Sequence, residues 1–216
     1  MSLKNSSAKI KIPKILINKL KDKRITKIYN NFEKSLDPKN NFIVAVSGGP
    51  DSLALAFLSK IYSIKNNVLI KYFIIDHKLR SESTNEAITV KKKLNNYKIY
   101  AEILTWKGVK PAKNIQAIAR KKRYEMLLSK SKNLGIHNIL LGHQLNDLFE
   151  NFFIRMLRGS GLKGLISLDK KTKIKGVNIL RPLLYQKKED LIYIAKTVFN
   201  FYVNDPSNTN EKFQRI

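Results

Sequence analysis

Residues 42–58 read Phe-Ile-Val-Ala-Val-Ser-Gly-Gly-Pro-Asp-Ser-Leu-Ala-Leu-Ala-Phe-Leu, and this stretch decides the fold. The apolar run from Phe42 to Val46 predicts a buried strand, and the apolar residues after Ser52 recur at helical spacing. Between them two glycines turn the chain, and Pro50 suits the first turn of a helix. The sequence therefore predicts a strand, a glycine turn and a helix N-terminus in direct succession.

Such a turn is typical of an anion-binding site, because unpaired N–H groups and the helix dipole converge on one spot. Gly48 and Gly49 let the backbone approach an anion without Cβ obstruction, and the hydroxyls of Ser47 and Ser52 add donors. Asp51 would repel phosphate unless Mg²⁺ lay between the two. The stretch therefore predicts a phosphate loop with Mg²⁺, and the alternative is an ordinary tight turn that caps a buried helix.

Composition limits the classes of function. The 216 residues contain no cysteine, which excludes disulfides, thiolate metal sites and a cysteine nucleophile from this sequence. A net charge of +26 points to a polyanionic partner, RNA or DNA first, although biased codon usage towards Lys, Asn and Ile is an alternative explanation. No segment approaches the roughly 18 uninterrupted apolar residues of a membrane helix, so we expect no membrane contact. The lack of cysteine fits a cytoplasmic protein.

Strands alternate with helices along the chain, which indicates an α/β fold with an open parallel five-stranded sheet and helices on both faces. The predicted strands are residues 42–46, 68–76, 98–105, 138–142 and around 177–180, and the predicted helices are residues 50–65, 82–96, 112–134, 144–158 and 187–200. Residues 1–40 are predicted to form a basic N-terminal extension with one amphipathic helix over 13–36. Residues 41–216 are predicted to form the catalytic domain.

Two groups of charged residues are candidates for the site. Asp76 and His77 end the second predicted strand, where parallel sheets bind ligands, although they could equally close a loop by hydrogen bonds. Arg120 and Arg123 lie three residues apart on one helix face and could hold phosphate oxygens, with a solvated basic face as the alternative.

The fourth predicted helix carries a further charged face. His143, Asn146, Asp147 and Glu150 fall at i, i+3, i+4 and i+7, so they share a face at the end of the fourth strand. They could hold Mg²⁺ or transfer a proton, or they could simply form the solvent-exposed face of the helix. The neighbouring apolar residues are predicted to supply its core face; they are Leu145, Leu148, Phe149, Phe152 and Phe153.

A glycine-rich loop follows that helix. Gly159, Gly161 and Gly164 have the spacing of a dinucleotide fingerprint, but the fingerprint must follow a strand and this one follows a helix. With Arg158 and Lys163, the loop better suits a lid or an RNA contact.

These residues resemble the tRNA(Ile)-lysidine synthetase family, a branch of the PP-loop ATP pyrophosphatases. The similar blocks are Ser47–Ser52, Asp76–Arg80, Ala119–Tyr124, Gly142–Leu165, Arg181–Leu184 and Asp205–Asn208. The resemblance implies an adenine nucleotide alpha hydrolase-like, Rossmann-like fold. It also implies ATP-dependent ligation of free lysine to C2 of the wobble cytidine in an isoleucine tRNA with a CAU anticodon. An adenylated tRNA forms first and pyrophosphate leaves, and AMP leaves when lysine attacks.

Carried over position by position, the resemblance implies the cofactors ATP and Mg²⁺ and a role for each matching residue. The residues implied to bind ATP are Ser47, Gly48, Gly49, Pro50, Asp51, Ser52, Asp76, His77, Arg123, Gly142 and His143. Catalysis falls to Asp51, Arg120, Asp147 and Glu150, with Asp51 and Asp147 as metal ligands. Contacts with tRNA fall to Arg158, Lys163 and Arg181.

The sequence departs from the family at one position, because Asn146 stands where the family usually has the first of two aspartates. An amide cannot neutralise a cation, so another PP-loop adenylating enzyme acting on tRNA, or a non-catalytic nucleotide- or RNA-binding module, remains an alternative. A tRNA thiolase is disfavoured by the lack of cysteine, and a small-molecule ligase by the positive charge. The family's C-terminal tRNA-binding domains are expected to be absent from this chain, and a homodimer is left open.

Overall fold

The computed structural model describes residues 13–37, 39–109, 111, 113–157 and 169–204. Seven helices and six strands follow one another in these ranges. They are α1 (Lys14–Leu20), α2 (Lys23–Glu33), β1 (Phe42–Val46), α3 (Pro50–Asn66), β2 (Ile70–Asp76), α4 (Ser83–Asn95), β3 (Ala101–Thr105), α5 (Ile115–Leu134), β4 (Asn138–Leu140), α6 (Leu145–Leu157), β5 (Lys171–Ile174), β6 (Val177–Leu180) and α7 (Lys188–Phe199). The described residues contain no helix long and apolar enough to cross a lipid bilayer.

The strands form one sheet in the order β3-β2-β1-β4-β6-β5. The five predicted strands are confirmed as its parallel part. The sixth strand, β5, was not predicted, and it pairs antiparallel with β6 at the sheet edge. Its four residues are never fully buried and two of them are lysines, so it carries the charges typical of an edge strand instead of an apolar run.

Alternate residues of β1 point to opposite faces of the sheet, and each face packs on its own set of helices. Phe42, Val44 and Val46 belong to the larger core with residues of α1, α2, α3, α4 and α7. Ile43 and Ala45 belong to the smaller core with Leu127 of α5. The predicted α/β fold with helices on both faces of the sheet is confirmed.

The N-terminal helix is divided into two, whereas the sequence predicted one. The break occurs because the Asp22 carboxylate caps α2, accepting hydrogen bonds from the backbone N–H groups of Arg24 at 2.8 Å and Ile25 at 3.1 Å. The apolar face of α2 is buried in the same core as β1; its residues are Ile25, Ile28, Tyr29 and Phe32.

The chain order places a crevice at one position in the sheet. From β1 the chain moves outward through β2 and β3, and it then returns to add β4 on the other side of β1. The connections after β1 and β4 therefore leave the sheet in opposite directions, and open α/β sheets bind ligands at this point. The glycine turn follows β1 and the Gly142-His143 pair follows β4, so both flank the crevice.

Candidate active site

The two glycines of the turn are needed for different reasons. Gly48 has φ of +90°, and a Cβ there would lie 2.6 Å from Val90 Cγ2 and 2.9 Å from Val203 Cγ2. The protein's own packing therefore excludes any side chain at this position. Gly49 has an ordinary φ of −67°, and a Cβ there would meet only Ser47 Oγ at 3.8 Å. Packing within the protein does not require a glycine at Gly49, and the space beside its backbone is open to a ligand.

Ser52 holds the turn closed. Its hydroxyl accepts hydrogen bonds from the backbone N–H groups of Ser47 and Gly48, each at 3.1 Å, and donates to the Gly49 carbonyl at 2.9 Å. The side chain is buried, so it shapes the loop from within. The predicted contact between Ser52 and a phosphate stays a prediction, and it requires these internal bonds to be exchanged.

Asp51 is a half-buried carboxylate. Its Oδ1 atom is buried and has no hydrogen-bond partner within the protein. Burial, followed by the negative charge of Asp147, raises the pKa of Asp51 to about 7, and the ammonium of Lys188 opposes the rise. The structure thus brings together the two residues that the sequence proposed as metal ligands.

The pair suits Mg²⁺, which prefers oxygen ligands and is commonly bound by one or two carboxylates together with substrate phosphates. In the part of the chain that the structure describes, no group of three or more His, Cys, Asp or Glu side chains could hold a metal alone. Asp51 and Asp147 would therefore share the ion with oxygens of a bound phosphate.

Asp147 is positioned by a reciprocal cap at the start of α6. Its Oδ2 atom accepts a hydrogen bond from the Gln144 N–H at 2.9 Å, and Gln144 Oε1 accepts one from the Asn146 N–H at 2.8 Å. This is the geometry of a capping box, with Gln144 at the N-cap and Asp147 at the third helical position. The carboxylate therefore both begins the helix and faces Asp51.

Gly142 allows the β4–α6 connection to approach the glycine turn. A Cβ at this position would lie 3.0 Å from the Asp51 carbonyl carbon and 3.1 Å from the Ser52 nitrogen. A side chain would push the two loops apart, and with them Asp51 and Asp147. The resemblance alone suggested a role for Gly142, because no local pattern signals a close approach between two distant loops.

Asp76 organises the loop after β2. Its Oδ1 atom accepts from the Lys78 N–H at 3.0 Å and the Ser83 hydroxyl at 2.9 Å, and its Oδ2 atom accepts from the Thr84 hydroxyl at 2.7 Å. Burial raises the pKa of Asp76, but these hydrogen bonds more than offset that effect and the pKa is lowered. Asp76 thus makes the bonds that the loop-closing alternative requires, and its predicted contact with ATP stays a prediction.

His77 differs from its neighbour, because both ring nitrogens are buried and neither has a hydrogen-bond partner within the protein. Burial first, and then the charge of Arg123, lower the pKa of His77 to about 4, with Asp76 opposing. The imidazole is therefore neutral at pH 7, with one donor and one acceptor available to a ligand.

A second cluster surrounds Arg181, which follows β6 and is only 4% exposed. Its guanidinium donates to the Asp169 carbonyl and the Thr172 hydroxyl, each at 2.8 Å, and to Nδ1 of His143 at 3.2 Å. Because Nδ1 accepts, the proton of His143 lies on Nε2. These bonds hold Arg181 against His143, and the predicted contact of Arg181 with tRNA stays a prediction.

The two arginines of α5 serve different neighbours. The Arg120 guanidinium lies 5.8 Å from the centroid of the Tyr124 ring. The pKa of Arg181 is lowered mainly by its own burial and further by the positive charge of Arg120. Arg123 instead acts on His77. Both arginines are exposed. The charge of Arg120 therefore acts at Arg181, and the charge of Arg123 acts at His77.

The structure adds two residues to the site and corrects one expectation. Lys188 and Tyr124 were given no role from the sequence; a basic residue in the first turn of α7 and a tyrosine one turn beyond Arg120 were the available signals. The predicted core face of α6 is wrong in part, since Phe149, Phe152 and Phe153 are 53%, 38% and 52% exposed. Helical periodicity identifies an apolar face but does not show what covers it.

Glu150 lies exposed on α6, one turn beyond Asp147. Arg158, Lys163 and the glycine loop lie outside the described residues, as does the block Asp205–Asn208.

Comparison with known proteins agrees with this geometry. The family described as the PP-loop domain matches residues 18–216. The chain belongs to this family. The predicted resemblance is confirmed by curated relatives named tRNA(Ile)-lysidine synthase, and the assignment of the phosphate loop to Ser47–Ser52 stays a prediction.

One of these PP-loop relatives, from Orientia tsutsugamushi, is 43% identical over 174 residues, covering 80% of this chain and 39% of its own length. Another, from Bradyrhizobium diazoefficiens, is 34% identical over 175 residues, covering 80% of this chain and 48% of its own length. The chain thus spans less than half the length of these two relatives.

Among solved structures, the U34-tRNA thiolase NcsA from Methanococcus maripaludis, described with its 4Fe-4S cluster, superposes with a TM-score of 0.70. It is 19% identical and the match covers 83% of this chain and 65% of the thiolase. At this identity the likeness establishes a shared fold alone.

Proposed function

We propose that this PP-loop domain uses ATP to activate a tRNA base and then joins lysine to it, forming lysidine at the wobble cytidine of an isoleucine tRNA with a CAU anticodon. The observation that carries the proposal is the Asp51–Asp147 carboxylate pair beside the glycine turn. The names of the curated relatives support the choice of substrate.

The reaction has two steps. The carbonyl oxygen at C2 of cytidine first attacks the α-phosphorus of ATP, so an O–P bond forms and pyrophosphate leaves. The uncharged amine of lysine then attacks C2. A C–N bond forms, the C2–oxygen bond breaks, and AMP departs with that oxygen. The attacking nitrogen, which is positively charged after the attack, releases one proton.

The phosphate end of ATP is assigned to the glycine turn. Gly49 leaves its backbone accessible, and the N-terminus of α3 adds the favourable end of a helix dipole. Lys188, whose charge already acts on Asp51, supplies a cation near the same place. Mg²⁺ held by Asp51 and Asp147 would neutralise phosphate charge, which is its usual contribution to phosphoryl and nucleotidyl transfer.

The nucleoside end is assigned to His77 and Arg123. A buried neutral imidazole without a partner is costly in the empty protein, and a ligand that fills both of its hydrogen bonds removes that cost. Arg123, on the adjacent helix face, can bind a phosphate or hydroxyl oxygen while it keeps His77 neutral.

Lysine is assigned to the carboxylates of α6. Asp147 and Glu150 lie one helical turn apart, so both can face one ammonium group. The amine must lose a proton before it attacks, and a nearby carboxylate is a suitable acceptor. Asn146 adds no charge here, so Asp147, Glu150 and Asp51 carry the negative charge of this region.

The products formed from ATP test this proposal. We expect AMP and pyrophosphate to appear only when the CAU-anticodon tRNA transcript is present, and AMP release to require lysine in addition. Formation of AMP without tRNA would place the domain among the small-molecule ligases and overturn the proposal.

A second candidate, a non-catalytic nucleotide- and RNA-binding module, is favoured by Asn146, which removes one of the family's paired carboxylates. In that case ATP and tRNA would bind together and neither AMP nor pyrophosphate would be released. The Asn146→Asp variant separates the two, since a module that lacks only this charge would gain turnover from it.

A further inference from the structure

We propose that the phosphate backbone of the RNA substrate lies along a basic track that runs from Lys21 over the outer face of α2 and continues to Tyr185. The track is defined as Lys21, Lys23, Lys27, Lys34, Lys170, Lys171 and Tyr185. The inference rests on the proposed function for the identity of its ligand, and it adds where on the protein that ligand is held.

The first half of the track is an open groove of about 600 Å³. Its lining consists of lysines and neutral polar residues, with no carboxylate; the residues are Lys21, Lys23, Thr26, Lys27, Asn30, Asn31 and Lys34. Threonine hydroxyls and asparagine amides are common partners of phosphate and sugar oxygens. The lining therefore combines charge with neutral donors, as a nucleic-acid backbone requires.

The groove follows from the amphipathic character of α2. Lys23, Lys27 and Lys34 lie four and seven residues apart, so they project from the same side of the helix, and all three are exposed. The apolar side of the same helix is buried in the core. The lysines are thereby held on a rigid surface, where their mutual repulsion favours the binding of a polyanion.

These lysines are not neutralised by neighbours. Among the described residues, ion pairs engage Arg24, Lys65, Arg80, Lys122 and Lys130, and none engages a lysine of the track. Binding a phosphate there breaks no existing ion pair.

A second groove of about 410 Å³ continues the first, and Asn31 lines both. It adds Lys170, Lys171 and Tyr185. The Tyr185 ring is 58% exposed, and the Lys170 ammonium lies 4.7 Å from its centroid. An exposed aromatic ring beside a cation is a typical stacking platform for an unpaired base, which favours RNA over an acidic protein as the occupant.

The track ends at the candidate active site. Arg181 lines the second groove and donates to His143 at 3.2 Å, and His143 begins the connection that carries Asp147. An RNA strand on the track therefore runs towards the side chains that would modify it. Lys92, Lys107 and Lys132 line neither groove, which gives the experiment its control.

The test compares two triple variants that remove equal charge. The track variant is Lys23→Gln, Lys27→Gln, Lys34→Gln, and the control is Lys92→Gln, Lys107→Gln, Lys132→Gln, three lysines that are also exposed. The probe is the CAU-anticodon tRNA transcript, and its Kd is measured over a series of salt concentrations. We expect the track variant to bind about tenfold or more weakly, with a log–log salt slope shallower by about 2–3. The control should retain the wild-type slope.

Tyr185 gives an independent measurement. Tyr185→Ala should weaken binding of an anticodon stem–loop more than binding of a fully paired RNA duplex, because only unpaired bases stack, and Tyr185→Phe should restore the wild-type value. Equal losses for both RNAs, or no loss, would contradict the stacking role.

The outcomes distinguish failure of the track from failure of the proposed function. If lysine ligation is never observed but the track variant still binds RNA weakly, only the proposed function fails. If ligation occurs and the two triple variants bind RNA equally, the track is wrong. A change in oligomeric state of the track variant without a change in RNA affinity would assign the surface to a second copy of the chain and would also overturn the inference.

Discussion

Asp51 lies close enough to Asp147 for the second carboxylate to add to the effect of burial, which raises the pKa of the first to about 7. The two residues lie in the first turns of α3 and α6, and Gly142 permits these segments to approach, because a Cβ there would lie 3.0 Å from the Asp51 carbonyl carbon. Two carboxylates held together in this way destabilise the empty protein and favour a bound cation.

The free energy of unfolding should depend on pH through the titration of the Asp51 carboxyl group. An unfolded aspartate titrates near 3.8, so between about pH 4 and 7 the folded chain binds more protons at Asp51 than the unfolded chain does. Stability from this group is therefore present at low pH and lost as pH rises through 7. We expect Asp51→Asn to stabilise the ligand-free protein at pH 8 by about 2 kcal/mol and to have little effect at pH 4. Urea unfolding at both pH values measures this, and a destabilised variant at pH 8 would contradict it.

The glycines of the turn should separate folding from binding. Gly48→Ala places a Cβ 2.6 Å from Val90 at a positive φ, and we expect a loss of about 2 kcal/mol or more in unfolding free energy. Gly49→Ala has room and an ordinary φ, so it should fold with wild-type stability. It should nevertheless bind ATP at least tenfold more weakly, because the methyl group fills the space left for phosphate. Calorimetry of both variants, with and without ATP, tests the pair. Wild-type ATP affinity in Gly49→Ala would place the phosphate elsewhere.

Replacing His77 should change the stability of the protein and its affinity for ATP in opposite directions. Replacing it by Phe removes two buried nitrogens that lack partners, so the ligand-free protein should be as stable as the wild type or more stable. The affinity for ATP should fall, because the imidazole's donor and acceptor are lost. Melting temperature and nucleotide Kd of the same preparation check this. A variant that is less stable but binds ATP normally would show that His77 is a packing residue.

Asp147 has a structural and a chemical role, and two substitutions separate them. Asp147→Asn keeps an oxygen that can accept the Gln144 N–H, so the cap of α6 should survive while the charge is lost. We expect adenylation to slow, because a Mg²⁺ ligand is lost, and lysine transfer to slow further, so that adenylated tRNA accumulates. Asp147→Ala loses the cap as well and should cost about 1 kcal/mol more in stability. If both steps fall together in Asp147→Asn, the residue acts on ATP and Mg²⁺ alone.

The local features of this protein could be predicted from its sequence, and the features that depend on distant contacts could not. The strand, turn and helix around Ser47–Ser52 follow from apolar runs and glycines, and the structure has them where they were predicted. Asp22 ends one helix and starts another through hydrogen bonds of a single carboxylate, which a periodic apolar pattern hides. The edge strand β5 has no apolar run to detect, since it pairs on one side only.

The candidate active site also combines features that local sequence predicts with features that depend on distant contacts. Asp51 and Asp147 could each be selected from local motifs, but their proximity depends on Gly142 and on the crossover that places β4 beside β1. The resemblance implied a tRNA contact for Arg181 and gave no sign of its burial, for which Asp169, Thr172 and His143 supply the acceptors. The loss of solvent around a charge is decided by such partners, and they are not visible in the sequence around Arg181.

The most direct test of the central claim is incorporation of labelled lysine into two tRNA transcripts that differ only in the wobble base, CAU and UAU. We predict ATP-dependent incorporation into the CAU transcript, one AMP released for each lysine joined, no incorporation into the UAU transcript, and loss of all incorporation in Asp51→Asn. Absence of lysine from the CAU transcript while ATP and tRNA are both bound, or equal incorporation by Asp51→Asn, would contradict the account.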